Sequence, residues 1–197
     1  MRTPSKFQVL LFIVGLFVSI AVSSTKPTNS EVLITRDQAV PHKIIAGYKR
    51  WTQVNPHPQV VASRIAIQCS MPTAAQISME ENNPHRDKFV VVYVNDIGKT
   101  AMMEQKLPVF PEGSVIVKEK LTTEDSTSPE LLTVMRKREP GYDPEYGNWE
   151  YTVFDGQGQT VQASGKLEKC QACHLSEKAT DYITRNYLPV SVWEKLR

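Results

Sequence analysis

Apolar positions follow three different regimes along the chain. Val9 to Val22 is almost wholly apolar behind a basic start at Arg2 and Lys6, whereas Thr25 to Val40 is polar, with Pro27, Asn29 and Ser30. From Pro41 the apolar residues become periodic. Ile44, Ile45, Tyr48 and Trp51 recur at helical spacing before Pro56 and Pro58, which predicts one amphipathic helix. Runs rich in β-branched and aromatic residues then predict strands at Phe89 to Val94, Ser114 to Leu121, Leu131 to Arg138 and Trp149 to Phe154. A further strand at Thr160 to Ala163 is predicted after the turn Asp155-Gly156-Gln157-Gly158. Ile97 to Lys106, with Met102, Met103 and Leu107 on one side, predicts a short crossover helix. The fold class is therefore α+β, an antiparallel β-sheet with flanking helices and no internal repeat. Arg138 to Gly147, with Pro140-Gly141 and Asp143-Pro144, reads as a loop able to border a pocket.

The N-terminal regime bears on compartment. A basic start, an apolar run and the small residues Ala21-Val22-Ser23 fit a secretory signal peptide over 1–24. An uncleaved anchor is the alternative, but the run is shorter than the roughly 20 residues that span a bilayer. Residues 25–40 then form a flexible leader, and 41–197 a single domain with its own core. The expected location is the periplasm, after cleavage.

Charge narrows the partners. A formal net charge of +2, from 23 basic and 21 acidic residues, gives no concentrated basic face for nucleic acid. Export ordinarily goes with disulfides, yet there are only three cysteines, two of them in one Cys-x-x-Cys pair. Cys69 is left over and reads as a buried inert thiol.

That pair carries the chemistry. Cys170-Gln171-Ala172-Cys173-His174 is the attachment pattern for one covalent c-type haem near the C-terminus. Two thiols add across the two haem vinyl groups. The intervening residues let both sulfurs reach neighbouring pyrrole edges, and the adjacent His174 becomes an axial ligand of the iron. A thioredoxin-like pair would need a βαβ context, whereas only Leu175 to Arg197 follows. A structural zinc site would need four ligands, and no second Cys-x-x-Cys or His pair completes one.

The sixth position on iron decides what the haem does, since a strong side-chain ligand favours electron transfer and an open site admits small molecules. Met102, Met103 and Met135 are candidates, although methionines on apolar faces are usually core filler. His42, His57 and His85 lie in polar, Pro-rich stretches and read as surface residues.

Taken together, these segments resemble the cytochrome P-460 family, small exported haem c proteins whose relatives include the cytochrome c′-beta gas-binding proteins. The resemblance spans most of the mature chain. It rests on Tyr48-Lys49-Arg50-Trp51, Tyr93-Val94-Asn95, Gly113-Ser114-Val115-Ile116-Val117-Lys118-Glu119, Asn148-Trp149-Glu150-Tyr151, and the haem motif followed by Thr180-Asp181-Tyr182. It implies haem c with its iron, an open distal site and a homodimer. In members that oxidise hydroxylamine a strand lysine is bonded to the haem ring, and the matching residue is Lys118. A neutral lysine amine in apolar surroundings is a nucleophile able to make that bond. Taken only as a strand residue, Lys118 would be a solvated edge guard; Lys120 shares its face but falls outside the matching position.

One departure is visible. Some hydroxylamine-oxidising relatives place a basic residue in the strand before Tyr-Val-Asp, whereas Phe89 to Val92 is entirely apolar, which suits gas binding. Glu119 and Gln162 are polar residues that the sequence does not place in a pocket. Three functions follow as expectations. The first is hydroxylamine oxidation, with electrons passed to an acceptor such as a small cytochrome. The second is binding of nitric oxide or carbon monoxide without turnover, in a pocket walled by aromatics such as Phe89, Phe110 or Tyr151. The third is a six-coordinate electron carrier.

Overall fold

The computed structural model describes residues 36–61, 73–81 and 86–197, which fall in one compact unit spanning Ile34–Arg197. The predicted signal peptide, most of the predicted leader, Cys69 and His85 lie outside these residues. In chain order, helix α1 (Arg36–Ile45) leads to short strands β1 (Thr52–Gln53) and β2 (Gln59–Val60), helix α2 (Ala74–Glu81), strand β3 (Phe89–Val94) and helix α3 (Asp96–Met103). Strands β4 (Val115–Leu121), β5 (Leu131–Lys137), β6 (Trp149–Asp155) and β7 (Val161–Gly165) follow, then helices α4 (Glu168–His174) and α5 (Val190–Leu196). All pairings are antiparallel, in the order β1-β3-β4-β5-β6-β7 with β2 also on β3. The α+β expectation matches this architecture.

β1 and β2 are two pieces of one edge strand, broken by the proline-bearing stretch between them. Asn55, fully buried, bridges the break. Its Oδ1 accepts from Val92 N–H at 2.8 Å, and its Nδ2 donates to the Val90 carbonyl at 2.8 Å and the His57 carbonyl at 2.7 Å. A side-chain amide thus supplies the donor and acceptor that the interrupted backbone cannot. Asn95 does comparable work between β3 and β4. Its Oδ1 accepts from Gly98 N–H, capping α3, and from Val115 N–H, while Nδ2 donates to the Gly113 carbonyl.

Strand alternation splits the core into two faces. On one, Val92, Val94, Ile116, Met135, Trp149 and Tyr151 pack with α3, Phe110 and the C-terminal residues Tyr182, Ile183, Leu188 and Leu196. On the other, Val91, Tyr93, Val117, Leu132, Val134 and Phe154 are covered by Ile45, with Ile44, Tyr48 and Trp51 packed against them. The N-terminal apolar spacing therefore marks a real buried face, but not one helix. The helix starts at Arg36 rather than Pro41 and ends at Ile45 rather than Trp51. Gly47, at φ 71°, turns the chain into a short 3₁₀ segment over Tyr48–Arg50. A Cβ there would lie 2.6 Å from the Arg50 guanidinium, and left-handed backbone favours glycine. The crossover helix is also shorter than expected, stopping at Met103.

Candidate functional site

Helix α4 holds the Cys-x-x-Cys-His pattern, with Glu168 in its first turn, where a carboxylate suits the helix dipole, and His174 in its last. Cys173 and His174 follow Cys170 by three and four residues and so share its side of the helix. Both thiols are free; Cys170 is half-buried against the core and Cys173 is exposed. Gln171 turns the other way and is buried. Its Nε2 donates to the buried Asp143 Oδ2 at 2.6 Å, pinning α4 to the loop before β6. That loop is closed by Asp143 N–H donating to Asn148 Oδ1 at 2.8 Å and Asn148 N–H donating to the Asp143 carbonyl at 2.7 Å.

His174 Nδ1 lies 2.7 Å from the Tyr182 carbonyl. A carbonyl only accepts, so Nδ1 carries the proton and Nε2 keeps the lone pair that a metal would take. The phenol ring of Tyr151 stands tilted beside the imidazole, centroids 5.6 Å apart. Tyr151 Oη is buried with no hydrogen-bond partner among the described residues, and burial pushes its ionisation well above the usual tyrosine range.

Lys118 falls on this same face. Register aligns it with Val92 on β3 and Thr133 on β5, one row from Ile116, Met135 and Tyr151. It is half-buried rather than a solvated edge lysine. Burial raises the Cys170 thiol, and the Lys118 charge works against that rise, which puts the amine in electrostatic reach of α4. Lys120, also on this face, is buried and paired with Glu130 at 3.1 Å.

Other expectations resolve differently. Glu119 points to the opposite face, where it accepts from Tyr48 Oη at 2.5 Å and pairs with Lys49 at 3.2 Å. Gln162 is exposed on β7. Among the pocket aromatics, Phe89 packs on the far face with Glu119 because its strand position is odd relative to Val92, and Phe110 stacks edge-on against Trp149. Only Tyr151 of the three stands beside His174. Met102 is fully buried core. His42 bonds the Gln159 carbonyl on the far face, and His57 is exposed. Two cavities, of about 580 and 380 Å³, flank α1 on that far face, and neither is lined by Cys170, Cys173, His174 or Lys118.

Gln171, Asp143 and the carbonyl of Tyr182 are site residues that sequence reasoning missed. Gln171 sits at a variable position of the motif, and a carbonyl leaves no trace in the residue type. Two free thiols and an imidazole on one helix side, with an orphaned buried phenol beside the imidazole, make a donor set that fits a haem c. A family model described as Cytochrome P460 matches residues 45–185, from the end of α1 through the motif and beyond Asp181-Tyr182. No curated protein matches the chain.

Proposed function

Because the chain belongs to the cytochrome P-460 family of haem- and iron-containing cytochromes, we propose that it is an exported mono-haem c cytochrome with an open distal iron site that oxidises hydroxylamine to nitrogen oxides, its haem cross-linked to Lys118. The placement of Lys118 on the sheet face against which Cys170 of α4 packs carries this reading. Haem, when bound, would supply an iron able to bind a small nitrogen compound and accept its electrons. Cys170 and Cys173 would hold the haem through thioethers, and His174 would ligate iron through Nε2. Lys118 Nζ would replace a ring C–H by C–N. That exchange releases two electrons and two protons, so maturation requires a two-electron oxidant of the peroxide class. Substrate electrons would leave to an acceptor such as a small cytochrome in the periplasm, with the protein acting as a homodimer.

A second reading, a nitric oxide or carbon monoxide binder without turnover, has its own support. Val90 and Val92 give the Lys118 face buried apolar neighbours, and the one carboxylate of β4, Glu119, faces away from the haem side. Proton-coupled oxidation needs a base that β4 does not offer there.

The deciding experiment is a reduced absorption spectrum of the mature holoprotein before and after carbon monoxide, with mass analysis of its proteolytic peptides. The expected result is a strongly red-shifted Soret band and a haem mass joining the Lys118 peptide to the Cys170–Cys173 peptide, both lost in Lys118→Ala. An ordinary high-spin c haem that binds carbon monoxide, with Lys118 unmodified, would replace the enzyme reading by the gas-binding one.

A further inference from the structure

Asp181 and Tyr182 sit consecutively in left-handed backbone, at φ 53° and 65°. Non-glycine residues persist there only where their surroundings over-determine them. Here the surroundings do. The Asp181 carboxylate takes Lys137 Nζ at 2.7 Å to both oxygens and Phe110 N–H at 2.9 Å, and its carbonyl takes Trp149 Nε1–H at 2.8 Å. Lys137 and Asp181 side chains are each only 12% exposed, and the ammonium also lies 5.0 Å from the centre of the Trp149 ring. Tyr182 N–H donates to the Glu177 carbonyl at 2.8 Å and its hydroxyl to the Glu145 carbonyl at 2.7 Å. The outcome of this clamp is one placed group, the Tyr182 carbonyl on His174 Nδ1.

We propose that Asp181, held by Lys137, is a positioning residue for the axial histidine, setting through the Tyr182 carbonyl how strongly His174 donates to iron and so the reduction potential. The proposal rests on the haem reading above. A firm Nδ1–H···O bond gives the imidazole anionic character, makes Nε2 the stronger donor and favours the ferric state. Loosening the carbonyl weakens all three.

The test uses the holoprotein carrying Asp181→Gly. Glycine adopts the left-handed backbone without steric cost, so the turn keeps its path while the carboxylate clamp is lost. Lys137→Met, which leaves the residue 181 backbone untouched, is the second variant. Reduction potential is measured by spectroelectrochemistry, and the iron–histidine stretch by resonance Raman of the ferrous protein. In both variants the expected result is a higher potential and a lower stretching frequency. Haem-loaded variants with both observables unchanged would overturn the positioning role while leaving the cytochrome reading intact. A wild-type protein that takes up no covalent haem would remove that reading and this inference together.

Discussion

Replacing Gln171 by leucine tests whether helix α4 is held by one buried polar contact. The side chains are similar in size, so the change mainly deletes the donor to Asp143 Oδ2 at 2.6 Å. Gln171 is 6% and Asp143 9% exposed, so water cannot readily replace the bond. A hydrogen bond to a charged group contributes about 1.5–3 kcal/mol net. The carboxylate is then left buried without that donor, while leucine regains part of the loss through apolar burial. The expected cost is about 2 kcal/mol, or ~4–8 °C in Tm for a domain of this size. The two Asp143–Asn148 hydrogen bonds, which do not use the Asp143 carboxylate, stay in place, which confines the effect to the docking of α4. Urea unfolding of the holoprotein followed by circular dichroism measures it, with Asp143→Asn and the double variant closing a cycle. A loss under ~0.5 kcal/mol together with no coupling between the two positions would refute the reasoning.

Two further outcomes follow from the same physics. Asn55→Ala removes the amide that completes the broken edge strand, leaving Val92 N–H and the Val90 carbonyl buried without it; unfolding should show a loss of ~2–4 kcal/mol, and a loss within ~0.5 kcal/mol would mean that the bridge is dispensable. Tyr48, Tyr93, Tyr151 and Tyr187 are all pushed upward, first by burial, and Tyr48 and Tyr93 also by the Glu119 carboxylate. Unfolded tyrosines lose their protons near ~10, so above that pH the unfolded chain binds fewer protons than the folded one and stability falls as pH rises. Denaturation midpoints taken from about pH 8 to about pH 12 should therefore decline at the alkaline end. Tyr48→Phe should flatten that decline; an unchanged slope would show that Tyr48 does not contribute to it.

Legibility in the sequence followed the range of the interactions involved. Strands β3 to β7 were readable because alternation is local and their apolar runs are bounded by turn residues such as Pro111-Glu112-Gly113 and Asp155-Gly156. Spacing at Ile44, Ile45, Tyr48 and Trp51 correctly marked a buried face, yet a left-handed glycine broke the helix that the spacing predicted. β1 and β2 escaped notice because two-residue strands have no period, and they exist only because β3 and Asn55 supply their partners. Likewise α4 is short and weakly periodic; its docking depends on Asp143, 28 residues away.

What the sequence determined by itself is the chemistry on offer: a Cys-x-x-Cys-His run whose spacing puts two thiols and an imidazole on one side of a helix, and the alternation that assigns Lys118 and Glu119 to opposite faces. Only the tertiary structure decided which face receives the motif. It brings Lys118 rather than Glu119 towards Cys170, sets Tyr151 beside His174, and aims the Tyr182 carbonyl at Nδ1. The physical reason is that periodicity labels faces without saying what will cover them. That choice falls to long-range burial and to hydrogen bonds such as Lys137 to Asp181, between residues 44 apart in the chain.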